Sequence, residues 1–194
     1  NGESSVVGGI CGSAFLINDS TVITAHHVLN SKAKPNDGYK YCQFWLLNRN
    51  DSLIIPIEQK QFEDYKEIDC SLIHLEKPLL NIPHLSIEKH EAKVGDDVYS
   101  IGHIAEKMPI TKAEWKSGKL IIQNYSLKNL ETDHNGSIKE ILKATIRTND
   151  VNIVDVVVIQ PTFGAIVGMS GGPLLCKGTN KLIGLMSFGL PADS

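Results

Sequence analysis

The chain has 194 residues, of which 42% are hydrophobic and 21% charged, and a formal net charge of −3. That length supports one average domain or two small ones, and the composition is that of a globular chain, not a disordered one. The slightly acidic balance supplies no basic field for nucleic acid, and no apolar run is long enough to span a bilayer.

Gly and Asn-Asp punctuation separates short β-rich runs, predicted at 12–18, 22–24, 39–47, 53–58, 72–75, 97–101, 119–127, 140–147, 154–159, 173–176 and 182–187. Strands at this spacing with turn signals between them predict a sandwich or barrels. Asn36-Asp37-Gly38, Asn48-Arg49-Asn50-Asp51 and Asn135-Gly136 read as hairpin turns, because Asn, Asp and Gly tolerate positive φ. Amphipathic helical patterns are scarce. The polar segment 86–93 interrupts the strands midway and suits a link between two halves. Cys11, Cys42, Cys70 and Cys176 allow a two-disulfide framework, or buried thiols that behave as small apolar residues.

Three segments carry chemistry. Val22-Ile23-Thr24-Ala25-His26-His27-Val28 is a β-branched run that reads as a strand delivering imidazole at its end. Ile68-Asp69-Cys70-Ser71-Leu72-Ile73 places a carboxylate just before another apolar run. Gly168-Met169-Ser170-Gly171-Gly172-Pro173 holds a serine between glycines, which free the backbone to turn N–H groups toward one point. A serine at its free pKa is a poor nucleophile and needs a base, which in turn needs orienting. Each segment alone has an ordinary reading as a turn or a strand end.

In that order, the motifs Thr-Ala-x-His-Val, Asp-x-x-Leu-Ile and Gly-x-Ser-Gly-Gly-Pro resemble the signatures of trypsin-like (chymotrypsin-fold) serine peptidases. The stretches 11–17, 171–177 and 182–189 are similar to family strands, and Ile159-Gln160 resembles the HtrA-type branch. Residues 30–60 and 103–155 match poorly. The resemblance implies an all-β fold of two six-stranded-type antiparallel β-barrels, residues 1–88 carrying His27 and Asp69 and residues 89–194 carrying Ser170. It implies a serine endopeptidase in which Ser170 is nucleophile, His27 general base and Asp69 the group fixing its tautomer. The backbone amides of Gly168 and Ser170 would form the oxyanion hole, and Ser187 would support Asp69. A histidine base must be neutral, so kcat/KM is expected to fall below about pH 6 to 7.

Gly164, Ser187, Phe188 and Gly189 match substrate-binding positions. Gly164, at the pocket floor, carries no acid, and Met186 stands where glutamate-specific relatives have histidine. Cleavage after small or medium apolar residues is therefore expected. Cys11 and Cys176 match halves of bridges whose partners here are Val28 and Val98, which favours a reducing, cytoplasmic compartment or a bacterial origin. Met169 replaces the aspartate that pairs with a new N-terminus in zymogen-activated relatives, so Val6-Val7-Gly8-Gly9 has no counter-charge there. Activity is expected without N-terminal cleavage. His26 is expected to be structural, and His74, His84, His90, His103 and His134 lack metal-ligand spacing. No cofactor or metal is expected, and the partner is a protein or peptide substrate.

An α/β-hydrolase needs its histidine after the serine, and the 24 residues following Ser170 contain none. The remaining alternative is a latent or non-catalytic protein-binding domain on the same fold. A latent domain would need an activating partner, and because little follows Gly189 a truncated or unusually closed second barrel, or an additional domain in a longer parent, is also expected.

Overall fold

A computed structural model describes residues 12–30, 44–48, 53–87, 91–103, 110–117, 119–126, 131–147 and 152–187. The architecture is all-β and antiparallel, as the sequence pattern predicts. Strands β1 (Ala14–Asn18), β2 (Thr21–Ala25), β6 (Cys70–His74) and β5 (Phe62–Tyr65) form one sheet in that order, with the ribbon β3 (Phe44–Leu47) and β4 (Ile54–Ile57) beside it. Every residue of β2 is buried, as a central β-branched strand demands. Leu16, Val22, Ile57, Ile73 and Leu75 make the first core, joined by Phe44, Leu46, Ile55 and Phe62, so all six of these strands contribute. Burying each such side chain contributes roughly 1.5–3 kcal/mol.

The second sheet runs β11 (Asn152–Pro161), β10 (Glu131–Arg147), β7 (Asp97–His103), β12 (Pro173–Cys176), β13 (Leu182–Leu185). Its core is Val98, Ile138, Met169, Leu174 and Met186. The ribbon β8 (Ile110–Lys116) and β9 (Lys119–Tyr125) is tied to the first ribbon by Tyr125, whose hydroxyl lies 2.8 Å from Asn48 Oδ1 and 2.8 Å from the Leu53 carbonyl. The first core draws on residues 16–82 and the second on residues 92–186. The expected boundary at 88/89 falls on residues 88–90, outside the described ones.

Two expectations need correction, and two strands were not anticipated. Asn135-Gly136 is not a turn: it lies inside β10, opposite Tyr99 and Val98 of β7. A glycine is needed there for close approach, since a Cβ would come within 2.3 Å of Thr162 Oγ1, just where β10 passes from pairing with β7 to pairing with β11. His27 does not end a strand. It belongs to a one-turn helix, α1 (His26–Leu29), which β2 feeds directly. Strand β5 was not predicted, because Phe62-Glu63-Asp64-Tyr65 is a charged, exposed sheet edge with no apolar run. Strand β8, within a stretch that matches the family poorly, was not predicted either. The turn at Asn36-Asp37-Gly38 lies outside the described residues, whereas β3 and β4, which flank 48–51, pair antiparallel as expected.

Candidate active site

Ala25, in extended conformation, hands the chain from β2 to α1, and α1 is fastened to the segment before β6 through its backbone. The His26 amide donates to the Asp69 carbonyl at 3.0 Å, and the His27 amide donates to Asp69 Oδ1 at 2.9 Å. The imidazole Nδ1 of His27 lies 2.7 Å from Asp69 Oδ2. Asp69 follows the 3-10 turn Lys66–Ile68 with φ at +51°, a left-handed conformation that aspartate tolerates better than most residues.

The Asp69 side chain is fully buried, while that of His27 is 27% exposed. Burial pushes the Asp69 carboxyl up, but hydrogen bonds from the His27 ring, the Ser187 hydroxyl and the His27 amide, with the charge of the imidazole, outweigh it and hold the group below its ordinary value. An ionised carboxylate only accepts, so Nδ1 carries the proton that it shares with Asp69. Nε2 of neutral His27 is then the basic nitrogen.

Ser170 stands in a loop whose shape is set by both sheets. The Ser13 amide donates to the Ser170 carbonyl at 2.7 Å, and the Ser13 hydroxyl donates to the Gly168 carbonyl at 2.7 Å while accepting from the His103 amide at 3.0 Å. Thr24 Oγ1 holds the Ser13 carbonyl at 2.8 Å. Gly171, at φ +88°, has no room for a side chain: a Cβ would come within 2.0 Å of the Ser13 carbonyl and 2.4 Å of Thr24 Oγ1. The amides of Met169, Gly171 and Gly172 donate to Ile166, Met186 and Met169 carbonyls. Those of Gly168 and Ser170 meet no protein acceptor among the described residues. The Ser170 hydroxyl donates to the Ser187 carbonyl at 3.3 Å, and the Ser187 hydroxyl donates to Asp69 Oδ2. Hydrogen bonds thus run from His27 to Asp69, from Ser187 to Asp69 and from Ser170 to Ser187.

A sequence profile of the trypsin-like peptidase domain matches residues 12–185. The chain belongs to that family. It is a serine protease domain, a hydrolase. No curated protein sequence matches it. The fold of this trypsin-like peptidase is similar to that of the Rv3671c protease of M. tuberculosis in its inactive form, at a TM-score of 0.62 and 18% identity, covering 94% of this chain and 72% of that one. It is also similar to the HtrA-type protease AlgW with a decapeptide, at a TM-score of 0.61 and 16% identity, covering 91% of this chain and 42% of that one. The MamO protease domain from Magnetospirillum magneticum matches at a TM-score of 0.57 and 13% identity, covering 95% of this chain and 79% of that one. The chain spans under half of the AlgW chain, and at these identities the likeness is one of fold, the chymotrypsin-like one.

In this peptidase domain Gly164 is exposed, and a Cβ there would meet nothing within 4 Å. Ile166 and Val167 follow it as exposed apolar side chains, Val167 at 78%. Phe188 and Gly189 lie outside the described residues. Met169 is fully buried in the second core, with the Ile166 amide 3.5 Å from its sulfur. Cys176 pairs in register with Val98, and Val28 lies against Gly12. Cys70 and Cys176 are free thiols, and burial, with the neighbouring Asp69 charge, pushes the Cys70 thiol up. Cys11 and Cys42 are outside the described residues. Sequence reasoning missed Ser13 and Thr24 as loop anchors; a Gly-Ser pair before a strand gives no signal of contacts 155 residues away. Among the described residues no helix is long and apolar enough to cross a membrane.

Proposed function

We propose that this domain is an HtrA-type serine endopeptidase that cleaves peptide bonds through an acyl-enzyme. Ser170 attacks the scissile carbonyl while Nε2 of His27 takes its proton. Asp69 holds the imidazole in the required tautomer and stabilises the cation. The amides of Gly168 and Ser170 receive the oxyanion, and removing one such donor costs about 100- to 1000-fold in kcat. Water then releases the acyl group with His27 again as base. No step needs a cofactor.

The observation that carries this reading is the 2.7 Å bond from His27 to a fully buried Asp69, which also accepts from Ser187 beside the Ser170 loop. The Ile159-Gln160 pair and the fold likeness to AlgW support the HtrA-type branch. The division into halves at 88/89 is supported by two separate cores. The uncharged segment from Gly164 to Val167, exposed at Gly164, Ile166 and Val167, supports a preference for small or medium apolar residues before the scissile bond.

A fluorophosphonate probe read by intact mass tests the mechanism: a single adduct is expected, absent from Ser170→Ala. A peptide-library profile dominated by basic or acidic residues would refute the pocket reading. One observation favours a second reading, a latent domain that a partner activates: the Ser170 hydroxyl is directed at the Ser187 carbonyl. An unlabelled wild-type chain that becomes labelled on adding a partner or substrate peptide would support it.

A further inference from the structure

His26 is a buried histidine that the proposed mechanism does not use. Its side chain is 7% exposed, and its Nδ1 lies 3.1 Å from Asp64 Oδ1 and 3.2 Å from Ser71 Oγ. Ser71 Oγ donates to the same Asp64 oxygen at 2.5 Å. The carboxylate accepts only, and the hydroxyl proton already points at it, so the proton in the Nδ1 contact is the imidazole's own. Asp64 is on β5, Ser71 is on β6, and Asp69 ends the turn between these strands. Helix α1 is therefore fastened by two parallel pairs: His26 on Asp64, backed by Ser71, and His27 on Asp69, backed by Ser187.

We propose that His26, with Asp64 and Ser71, positions the active site: it sets the rotation of α1 and the reach of the 66–68 turn, so that His27 and Asp69 stay in hydrogen-bond range. This rests on the reading of His27 as base and Asp69 as its orienting acid. Helix α1 is one turn long, with no side-chain cap at its N-terminus, and a helix that short does not hold its own shape. Among the described residues, strand β5 is a sheet edge paired with β6. The β2–β6 pairing at Ala25 and Cys70 keeps α1 and the turn that presents Asp69 side by side, and β11 lies against that turn, so what the tie adds is the rotation of α1 about this fixed joint. A residue that merely filled space at 26 would not need a donor at the Nδ1 position. Asparagine supplies an amide N–H there without the ring, which separates positioning from packing.

The experiment compares His26→Ala, Asp64→Ala and His26→Asn in the full chain by kcat and KM on a peptide substrate, by Tm, and by the low-field proton NMR signal of His27 Nδ1–H. That signal persists while Asp69 shelters the proton and needs no turnover. His26→Ala and Asp64→Ala are expected to lower kcat about tenfold to a hundredfold, the scale of a 1 Å misplacement, with KM unchanged and the signal broadened by exchange. His26→Asn is expected to restore both. Unchanged kcat and signal in the alanine variants, or losses that asparagine does not repair, would overturn the proposal. Should His26→Ala fail to fold, Asp64→Ala, at a site 34% exposed, decides together with His26→Asn. Failure of the catalytic reading shows separately, as activity that survives Ser170→Ala, while the NMR signal still reports on His26.

Discussion

Asp69 illustrates how one side chain can serve both stability and chemistry. The ordinary aspartate value is 3.8, and in the fold hydrogen bonds bring it lower despite burial. A depressed carboxylate contributes stability that is fully present above the unfolded value and is lost as pH falls through the folded one. The stability gap between wild type and Asp69→Asn is therefore expected to be constant above about pH 5 and to close in acid. Denaturant unfolding across pH 6 to 2 measures it; a gap that does not change with pH would count against the hydrogen-bonded carboxylate. The motifs around Ser170, His27 and Asp69 stood out in sequence because they keep family order, and the pairing of His27 with Asp69 follows from that resemblance. Ser13 did not stand out, nor did the partners of His26. Their roles are hydrogen bonds between residues 155 and 45 positions apart, and no local pattern encodes those.

Among the elements, the Ser170 loop has a backbone with little freedom. At Gly171 positive φ and contact with the first sheet coincide, so Gly171→Ala combines conformational strain with overpacking. A loss of roughly 3 kcal/mol or more is expected in denaturant unfolding, with kcat falling as the Ser170 amide moves. A variant with unchanged midpoint and turnover would contradict the geometry. Elements with apolar runs were legible: β12 spans 173–176 as predicted, and β2 extends one residue beyond 22–24 at each end. Those without were not. Edge strand β5 is too charged to show a pattern, and the Asn-Gly inside β10 imitates a turn because glycine serves close approach as well as reversal.

For the whole molecule, the all-β plan was readable from strand spacing, while the pairing order was not, because β1-β2-β6-β5 joins strands distant in sequence. Met169 bears on activation. Buried without charge in the second core, it offers no partner to a freed N-terminal amine. Chains with and without residues 1–5 are expected to turn over substrate equally, and a large gain on trimming would overturn this. The Ser187 hydroxyl, from the second sheet's side, reaches across to the Asp69 carboxylate, which on the proposed mechanism orients His27. That crossing bond acts as an interlock. On that mechanism, were the halves to swing apart, His27 would lose part of its alignment as Ser170 departed. On the proposed mechanism, Ser187→Ala is accordingly expected to slow turnover, a loss read in kcat on a peptide substrate.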